Sequence, residues 1–276
     1  MSTCRIGSDL VMHYQVDDFT NPWERAQAIL LLHGNAESGA AWFAWVPELA
    51  RHYRVVRPDM RGFGASTPMA RDYPWTLERI IDDYRFLLGE LGVERCHLVG
   101  AKLGGTIARR FAARHPEMVL TLTLVGTPAP NRGLGADLGH RVKEMEEQGA
   151  AHWAERTMAG RLGSEFPEAG VRWWTALMSR TATSTLAGFT ERIADVDISA
   201  DLPAIRCPTL VITTEGSALG SVEETRTWQK RIPRSRLVVL PGNSYHVAAS
   251  HAERCAQETL AFIRQSGLGE GASPAG

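Results

Sequence analysis

A lysine lies at the centre of a glycine-rich segment, Gly100-Ala101-Lys102-Leu103-Gly104-Gly105. Residues 95–99 before it are typical of a buried strand, and residues 103–115 carry apolar side chains at helical spacing. The pattern predicts a sharp turn between strand and helix, which presents one side chain above the sheet toward a substrate. Glycines are needed there because the turn is strained and the helix packs closely on the strand. The presented side chain is that of Lys102.

Lys102 would experience two effects that disfavour its ammonium form. The N-terminus of a helix carries a partial positive charge, and a covered site removes water from the charged group. We therefore expect the pKa of Lys102 to fall below its usual value of about 10.4. A neutral lysine is a nucleophile toward ketones and aldehydes, or a general base. It is poorly suited to covalent ester hydrolysis, because acyl transfer to an amine gives a stable amide.

Three further segments carry residues that suit a hydrolytic site. Residues 29–35 are an apolar run that ends in His33-Gly34-Asn35, residues 57–66 contain Asp59-Met60-Arg61-Gly62, and residues 241–246 end in His246. Together with the lysine turn, and in the same order along the chain, they resemble the motifs of α/β-hydrolases. The similarity is to the cap-bearing group of esterases, lactonases, haloperoxidase-like proteins and carbon–carbon bond hydrolases, and it extends from about residue 10 to residue 263.

This resemblance implies roles for five residues. His246 matches the catalytic histidine, and the backbone N–H groups of Asn35 and Leu103 match the oxyanion hole. Lys102 stands where the family has its serine nucleophile, and Ser217 stands where it has the triad acid. An engineered serine-to-lysine change, made to trap a bound substrate, would leave the triad acid in place. Here both the serine position and the acid position differ from the family pattern, which indicates natural divergence.

The order of the predicted elements indicates one α/β domain. Strands are predicted at residues 10–16, 28–32, 54–56, 95–99, 120–125, 209–212 and 237–240, with helices at 77–91, 103–115 and 247–264. Such alternation favours a mainly parallel sheet that binds ligands at the carboxyl ends of its strands. The resemblance implies the α/β-hydrolase fold, a mostly parallel eight-stranded sheet flanked by helices. We expect residues 1–128 and 204–266 to form the core and residues 267–276 to form a disordered tail.

Residues 129–203 show no strand pattern and are expected to form a helical lid inserted after the sixth strand. Helices are predicted near residues 138–147, 152–161, 168–180 and 186–194. Most aromatic side chains in this segment are expected to pack the lid onto the core. Trp153 and Trp174 are the candidates for lining an apolar substrate pocket.

Glu37 lies in the loop after His33, where related proteins usually carry small residues, and that loop borders the predicted site. Its carboxylate could pair with Lys102 and hold it charged, or exchange protons with a substrate. The alternative is an ordinary solvated loop glutamate. We include Glu37 with Lys102 and His246 as candidate catalytic residues.

Charge and hydropathy exclude several classes of function. The chain of 276 residues has a formal net charge of −1, so no basic surface indicates a nucleic-acid or anionic-membrane partner. No segment reaches the roughly 18 apolar residues of a membrane-spanning helix, and the first residues do not resemble a signal peptide. We expect a cytoplasmic protein.

The spacing of cysteines and histidines indicates neither disulfides nor a metal. The four cysteines are far apart without a C-x-x-C pair, and the histidines outside the motifs lack ligand spacing. We expect no metal and no cofactor. The expected partner is a small carbonyl substrate, and the sequence leaves the oligomeric state undetermined.

Four hypotheses remain open for Lys102. It could form an imine with a ketone, or act as a base beside it, so that a carbon–carbon bond breaks or a carboxylate is lost. His246 could activate water while a charged Lys102 assists hydrolysis of an ester, lactone or β-diketone. Lys102 could instead hold an anionic ligand in a non-catalytic binding or sensor protein. Finally, the turn could be degenerate, with Lys102 filling the oxyanion hole or pairing with a carboxylate.

Overall fold

A computed structural model describes residues 2–131, 133, 135 and 137–268. Eight strands form one sheet in the order β1-β2-β4-β3-β5-β6-β7-β8. The strands are β1 Ser2–Ile6, β2 Leu10–Asp17, β3 Ala28–Leu32, β4 Arg54–Pro58, β5 Cys96–Ala101, β6 Val119–Val125, β7 Thr209–Thr214 and β8 Ser235–Leu240. β2 runs antiparallel to both β1 and β4, and every other neighbouring pair is parallel. The predicted eight-stranded, mostly parallel sheet is confirmed.

Helices cover both faces of this sheet. They are α1 Val46–Leu49, α2 Leu77–Glu90, α3 Leu103–Arg114, α4 Asp137–Leu162, α5 Glu168–Ser179, α6 Thr183–Ile193, α7 Val222–Gln229, α8 Val247–Ser250 and α9 Ala252–Gln265. None of the helices in the described ranges combines the length and apolar character needed to cross a membrane.

The central strand β3 divides the core into two clusters. Leu30 and Leu32 pack with α2 and α3 on one face, whereas Ile29 and Leu31 pack with α1 and α9 on the other. All five residues of β3 are buried, as the uninterrupted apolar run predicts for a strand covered on both sides. β3 and β5 are neighbours in the sheet, and β7 is separated from β5 by β6. The loops that follow the carboxyl ends of these three parallel strands meet at the same edge of the sheet.

Three elements differ from the sequence prediction. β1 lacks a recognisable sequence pattern, because it is a short edge strand in which only Cys4 is buried. The two predicted helices at residues 138–147 and 152–161 form one run, α4, which is kinked at Gly149 with φ 81°. The predicted final helix is interrupted at His251, which has a non-helical φ of −128° and ψ of 39°. Most of the predicted tail, residues 269–276, lies outside the described residues.

The segment between β6 and β7 supplies α4, α5 and α6. α4 contacts α5 and α6 and also reaches α8, which begins directly after His246. α4 and α6 therefore contribute side chains next to the loops at the carboxyl ends of the strands.

Candidate active site

The turn at Lys102 has the strained geometry expected from the sequence. Lys102 has φ 53° and ψ −121°, and its N–H donates to the Val125 carbonyl over 3.1 Å. α3 begins at the next residue, Leu103. A Cβ atom on Gly104 would lie 2.2 Å from the Leu32 carbonyl oxygen, so only glycine lets α3 approach β3 this closely.

The Lys102 ammonium group forms a buried ion pair with Glu37. Lys102 Nζ contacts Glu37 Oε1, and the two residues are 6% and 2% exposed. The other carboxylate oxygen, Oε2, accepts a hydrogen bond of 3.0 Å from the Gly34 N–H. The interpretation of Glu37 as a solvated loop residue is therefore wrong, because Glu37 is buried and pairs with Lys102.

His246 lies on the other side of the same carboxylate oxygen. Its Nε2 atom is 2.8 Å from Glu37 Oε1, in a close polar contact that does not have the geometry of a good hydrogen bond. The opposite ring nitrogen, Nδ1, is buried without a hydrogen-bond partner among the described residues. The Trp174 ring packs edge-on against the imidazole with 4.5 Å between ring centroids. Glu37 thus joins Lys102 and His246 into one cluster.

Burial and charge set the protonation states of this cluster. Burial lowers the pKa of Lys102 to about 8, and it outweighs the Glu37 carboxylate, which raises that pKa. Burial, together with the nearby Lys102 charge, lowers the pKa of His246 to about 4. Burial alone would raise the pKa of Glu37, but the Lys102 charge and the His246 contact hold it well below its usual range. At pH 7 Glu37 is a carboxylate and His246 is neutral, and the lowered pKa of Lys102 makes its neutral amine more accessible than that of a solvated lysine.

The residue at the triad-acid position makes local contacts. Ser217 is half-buried, and its hydroxyl oxygen accepts a hydrogen bond of 3.3 Å from the Leu219 N–H. It forms no hydrogen bond with His246 among the described residues, consistent with the unpartnered Nδ1 atom of that histidine. The only carboxylate in contact with His246 in the described part of the chain is that of Glu37, on the Nε2 side.

The loop after β4 is braced by its own charged residues. Asp59 accepts hydrogen bonds from the N–H groups of Gly39 and Ala65 over 2.7 and 2.8 Å. Arg61 donates two hydrogen bonds to the Asp83 carboxylate, over 2.8 and 2.6 Å. These contacts fix the loop but do not involve Lys102 or His246.

The predicted oxyanion loop is held from two directions. His33 Nε2 accepts a hydrogen bond of 2.9 Å from the Met60 N–H, which leaves Nδ1 to donate to the Gly34 carbonyl over 2.8 Å. The Asn35 side-chain amide donates to Thr190 Oγ1 in α6 over 3.1 Å. The loop after β3 is therefore hydrogen-bonded to α6, which belongs to the helical segment between β6 and β7.

A small cavity of about 170 Å³ opens beside Lys102. Asn35 and Leu103 border it together with Lys102, so both predicted oxyanion residues and the lysine share one space. Leu103 opens α3, where the first N–H groups have no partner within the helix. A carbonyl oxygen in this cavity could therefore meet free backbone donors.

The two candidate tryptophans have different positions. Trp153 borders the cavity. Trp174 does not border this cavity, because its ring covers His246 and is only 2% exposed, so its place in a substrate pocket stays a prediction. His246 is itself 1% exposed and is likewise absent from the described cavity wall.

Two arginines and a tyrosine near the cavity are not predicted by any sequence motif. Arg141, Arg161 and Tyr245 border it together with Lys102. Arg161 lies in the last turn of α4, where a basic residue is common in any helix. The sequence therefore carries no signal that would distinguish Arg161 from an ordinary surface arginine.

The described residues include no group of three or more histidine, cysteine, aspartate or glutamate side chains arranged to hold a metal ion. Four cysteines, Cys4, Cys96, Cys207 and Cys255, are buried as free thiols. Burial raises the pKa of Cys96 to about 12 and that of Cys207 to about 11, so these thiols remain protonated at neutral pH.

Comparisons with known proteins agree with this architecture. Pimeloyl-(acyl-carrier protein) methyl ester esterase of Aeromonas hydrophila is 29% identical over 236 residues, which cover 82% of this chain and 91% of that protein. Epoxide hydrolase 3 of Xenopus tropicalis is 39% identical over 108 residues, but these cover only 39% of this chain and 29% of that protein.

A solved structure shows the same fold. The enol-lactonase from Burkholderia xenovorans LB400 matches with a TM-score of 0.87 and 22% identity, covering 95% of this chain and 100% of that chain. A family model described as the α/β hydrolase fold matches residues 27–249, most of the 276-residue chain. The chain therefore belongs to the α/β-hydrolase fold family.

Proposed function

We propose that this protein is an enzyme that acts on a small carbonyl compound without a cofactor, and that the Lys102 amine is the reacting group. One arrangement carries the proposal: Lys102 borders the 170 Å³ cavity beside Asn35 and Leu103, while His246 lies behind Glu37 and Trp174. A substrate in that cavity therefore meets the lysine and the backbone donors before it meets the histidine.

Lys102, the substrate and water supply every atom that the proposed amine chemistry needs. Neutral Lys102 adds to a ketone carbon, and loss of water gives a protonated imine. When the bond between the α carbon and its carboxylate or hydroxyalkyl substituent breaks, its electron pair forms the C=C bond of an enamine, and the C=N π pair moves to nitrogen; a hydroxyalkyl substituent also gives up its hydroxyl proton as it becomes a carbonyl. The departing fragment is carbon dioxide or a second carbonyl compound. Protonation of the enamine and addition of water release the product and restore the amine.

Glu37 suits a supporting role in this sequence. Its ionised carboxylate contacts Lys102 Nζ, so it stabilises positive charge on that nitrogen in the ammonium and in the iminium. His246 contacts the same carboxylate and keeps it fixed. The neutral imidazole is a weak base here, because burial lowers its pKa to about 4.

A second candidate is favoured by the ion pair itself. If Glu37 held Lys102 charged throughout, Lys102 would act as a fixed cation, either for hydrolysis by water that His246 activates or for simple capture of an anionic ligand. The buried Lys102–Glu37 contact supports this alternative. The position of His246 behind Trp174 argues against the water-activating version.

Borohydride trapping with a panel of ketones and β-keto acids tests the proposal. The chain contains three lysines, Lys102, Lys143 and Lys230, so peptide mass spectrometry assigns any adduct without ambiguity. We expect a reduced adduct on Lys102 that is absent in Lys102→Met and retained in the matched control Lys143→Met. Turnover of a true substrate that survives in Lys102→Met and is abolished in His246→Ala, with no trappable adduct, would reject the imine and favour water activated by His246.

A further inference from the structure

Arg161 is a buried cation that forms no direct ion pair with any carboxylate of the described residues. The residue is 8% exposed, and none of the ion pairs between described residues includes it. Its Nε atom donates to Thr157 Oγ1 over 3.0 Å, and the guanidinium carbon lies 4.4 Å from the centre of the Trp153 ring. A guanidinium has five N–H donors, so most of its donors remain available to a ligand.

The backbone around Arg161 is fixed to the loop that carries His246. The Arg161 carbonyl accepts hydrogen bonds from the N–H groups of Tyr245 and His246, over 3.1 and 2.9 Å, and from Ser244 Oγ over 2.9 Å. These three contacts involve only the backbone of Arg161. The backbone of Arg161 is therefore fixed by the fold, and these three contacts do not use its side chain.

Arg161 lies where two cavities meet. It borders the inner cavity of about 170 Å³ and also an outer one of about 720 Å³ between the two halves of α4. The three acidic groups that border the outer cavity each have a cation: Asp137 pairs with Arg141 over 3.7 Å, Glu144 with Arg156 over 2.6 Å, and Glu147 with Lys143 over 3.7 Å. Among the described residues, the cation of these cavities that forms no ion pair of its own is therefore Arg161, which borders the inner cavity.

We propose that Arg161 binds a carboxylate of the substrate, so that the substrate is a short oxoacid whose ketone reaches Lys102. This inference rests on the proposed function, because Lys102 defines the position of the ketone. A cavity of about 150 Å³ can hold a benzene molecule, so about 170 Å³ suits a molecule of only a few carbons. The guanidinium matches the planar carboxylate with parallel N–H donors.

The test compares 4-oxopentanoate with its methyl ester in borohydride trapping on Lys102. In the unmodified protein we expect half-maximal labelling at a concentration at least about tenfold lower for the acid, as a charge-assisted contact provides. Arg161→Met should remove this preference, so that acid and ester reach half-maximal labelling at similar concentrations, whatever the variant does to the labelling rate that the two compounds share. Arg161→Lys should keep part of the preference for the acid. The matched control Arg172→Met, an exposed arginine paired with Glu168, should keep all of it.

A second measurement separates failure of this site from failure of the proposed function. Calorimetric titration with pentanoate, which has no ketone, measures carboxylate binding in Lys102→Met and in Lys102→Met/Arg161→Met. Binding in the first and its loss in the second would support the Arg161 site even if no adduct forms on Lys102. Equal trapping of acid and ester, or a preference for the acid that survives in Arg161→Met, would overturn the inference. Tighter binding of inorganic phosphate than of pentanoate would also overturn it.

Discussion

Glu37 Oε1 lies 2.8 Å from His246 Nε2, on the side of the imidazole that faces the nucleophile in a Ser-His-Asp triad. The same oxygen contacts Lys102 Nζ. A carboxylate therefore separates the histidine from the residue at the turn. This order, lysine then carboxylate then histidine, differs from the triad order, in which the histidine lies between the other two groups.

The buried pair should show strong energetic coupling. Lys102→Met leaves the Glu37 carboxylate without its cation, and Glu37→Gln leaves the ammonium without its anion, so we expect each to lower the free energy of unfolding by about 3 kcal/mol at pH 7. The double variant should lose less than the sum, because neither charge remains. Urea denaturation of the four proteins measures the coupling.

An exposed pair in the same chain provides the control for this cycle. Lys143 and Glu147 lie one turn apart in α4, 3.7 Å from each other and largely exposed. Their coupling should be about 0.3–0.5 kcal/mol. Additive losses in the Lys102 and Glu37 variants would show that the two groups are not an ion pair in solution.

Acid should destabilise the protein between pH 6.5 and 4. Burial lowers the pKa of His246 from 6.5 to about 4, and it lowers that of His97 to about 4 as well. In this window the unfolded chain binds protons that the folded state does not, so stability falls as pH falls. Each histidine contributes at most about 3 kcal/mol across the window, at about 1.4 kcal/mol per pKa unit. Urea denaturation at pH 6.5 and 4.5 measures the loss.

Two variants identify the histidines responsible. His246→Gln and His97→Gln should each make stability less dependent on pH in this range, whatever their effect at pH 7. His140→Gln, at an exposed position, should leave the dependence unchanged. An unchanged pH dependence in both buried-histidine variants would contradict the assignment.

A matched pair of glycine substitutions tests the packing of the turn. A Cβ on Gly104 would meet the Leu32 carbonyl oxygen at 2.2 Å, so Gly104→Ala should cost more than about 3 kcal/mol or prevent folding. At Gly160, exposed in α4, an added Cβ would have open space around it. Gly160→Ala should therefore stabilise the protein by about 0.5–1 kcal/mol. Thermal unfolding compares the two, and normal stability of Gly104→Ala would contradict the close approach of α3.

Organophosphonate reagents for serine hydrolases should leave the protein unlabelled. Ser66 near the site donates to the Asp59 carbonyl over 2.7 Å and accepts from the His13 N–H over 2.9 Å, so its hydroxyl is engaged. Ser217 forms its own loop contact. Intact-mass spectrometry should find no adduct, and stoichiometric labelling that depends on His246 would show that the nucleophile is misplaced.

Restoring serine at the turn should not restore an esterase. In Lys102→Ser the Nδ1 atom of His246 would still lack an acid, and Glu37 would still face Nε2. We expect hydrolysis of p-nitrophenyl esters to stay close to the background rate. A rise of more than about a hundredfold would show that another group orients His246 for triad chemistry.

The sequence by itself determined the fold and the position of the unusual residue. Uninterrupted apolar runs specified buried parallel strands, and the glycines around Lys102 specified a turn in which only small residues fit. These features are local, because each depends on a few neighbouring residues and on the period of the pattern. The order of the motifs then required their loops to meet at one edge of the sheet.

Only the tertiary structure decided the electrostatics of the site. Whether Glu37 was solvated or paired depended on packing by residues far away in the chain, and burial then set the pKa of both Lys102 and His246. Arg161 resembled any basic residue at the end of a helix until α4 was placed over the strand loops. Desolvation and charge pairing are properties of three-dimensional surroundings, so a one-dimensional pattern could name the candidate groups but not their charges or partners.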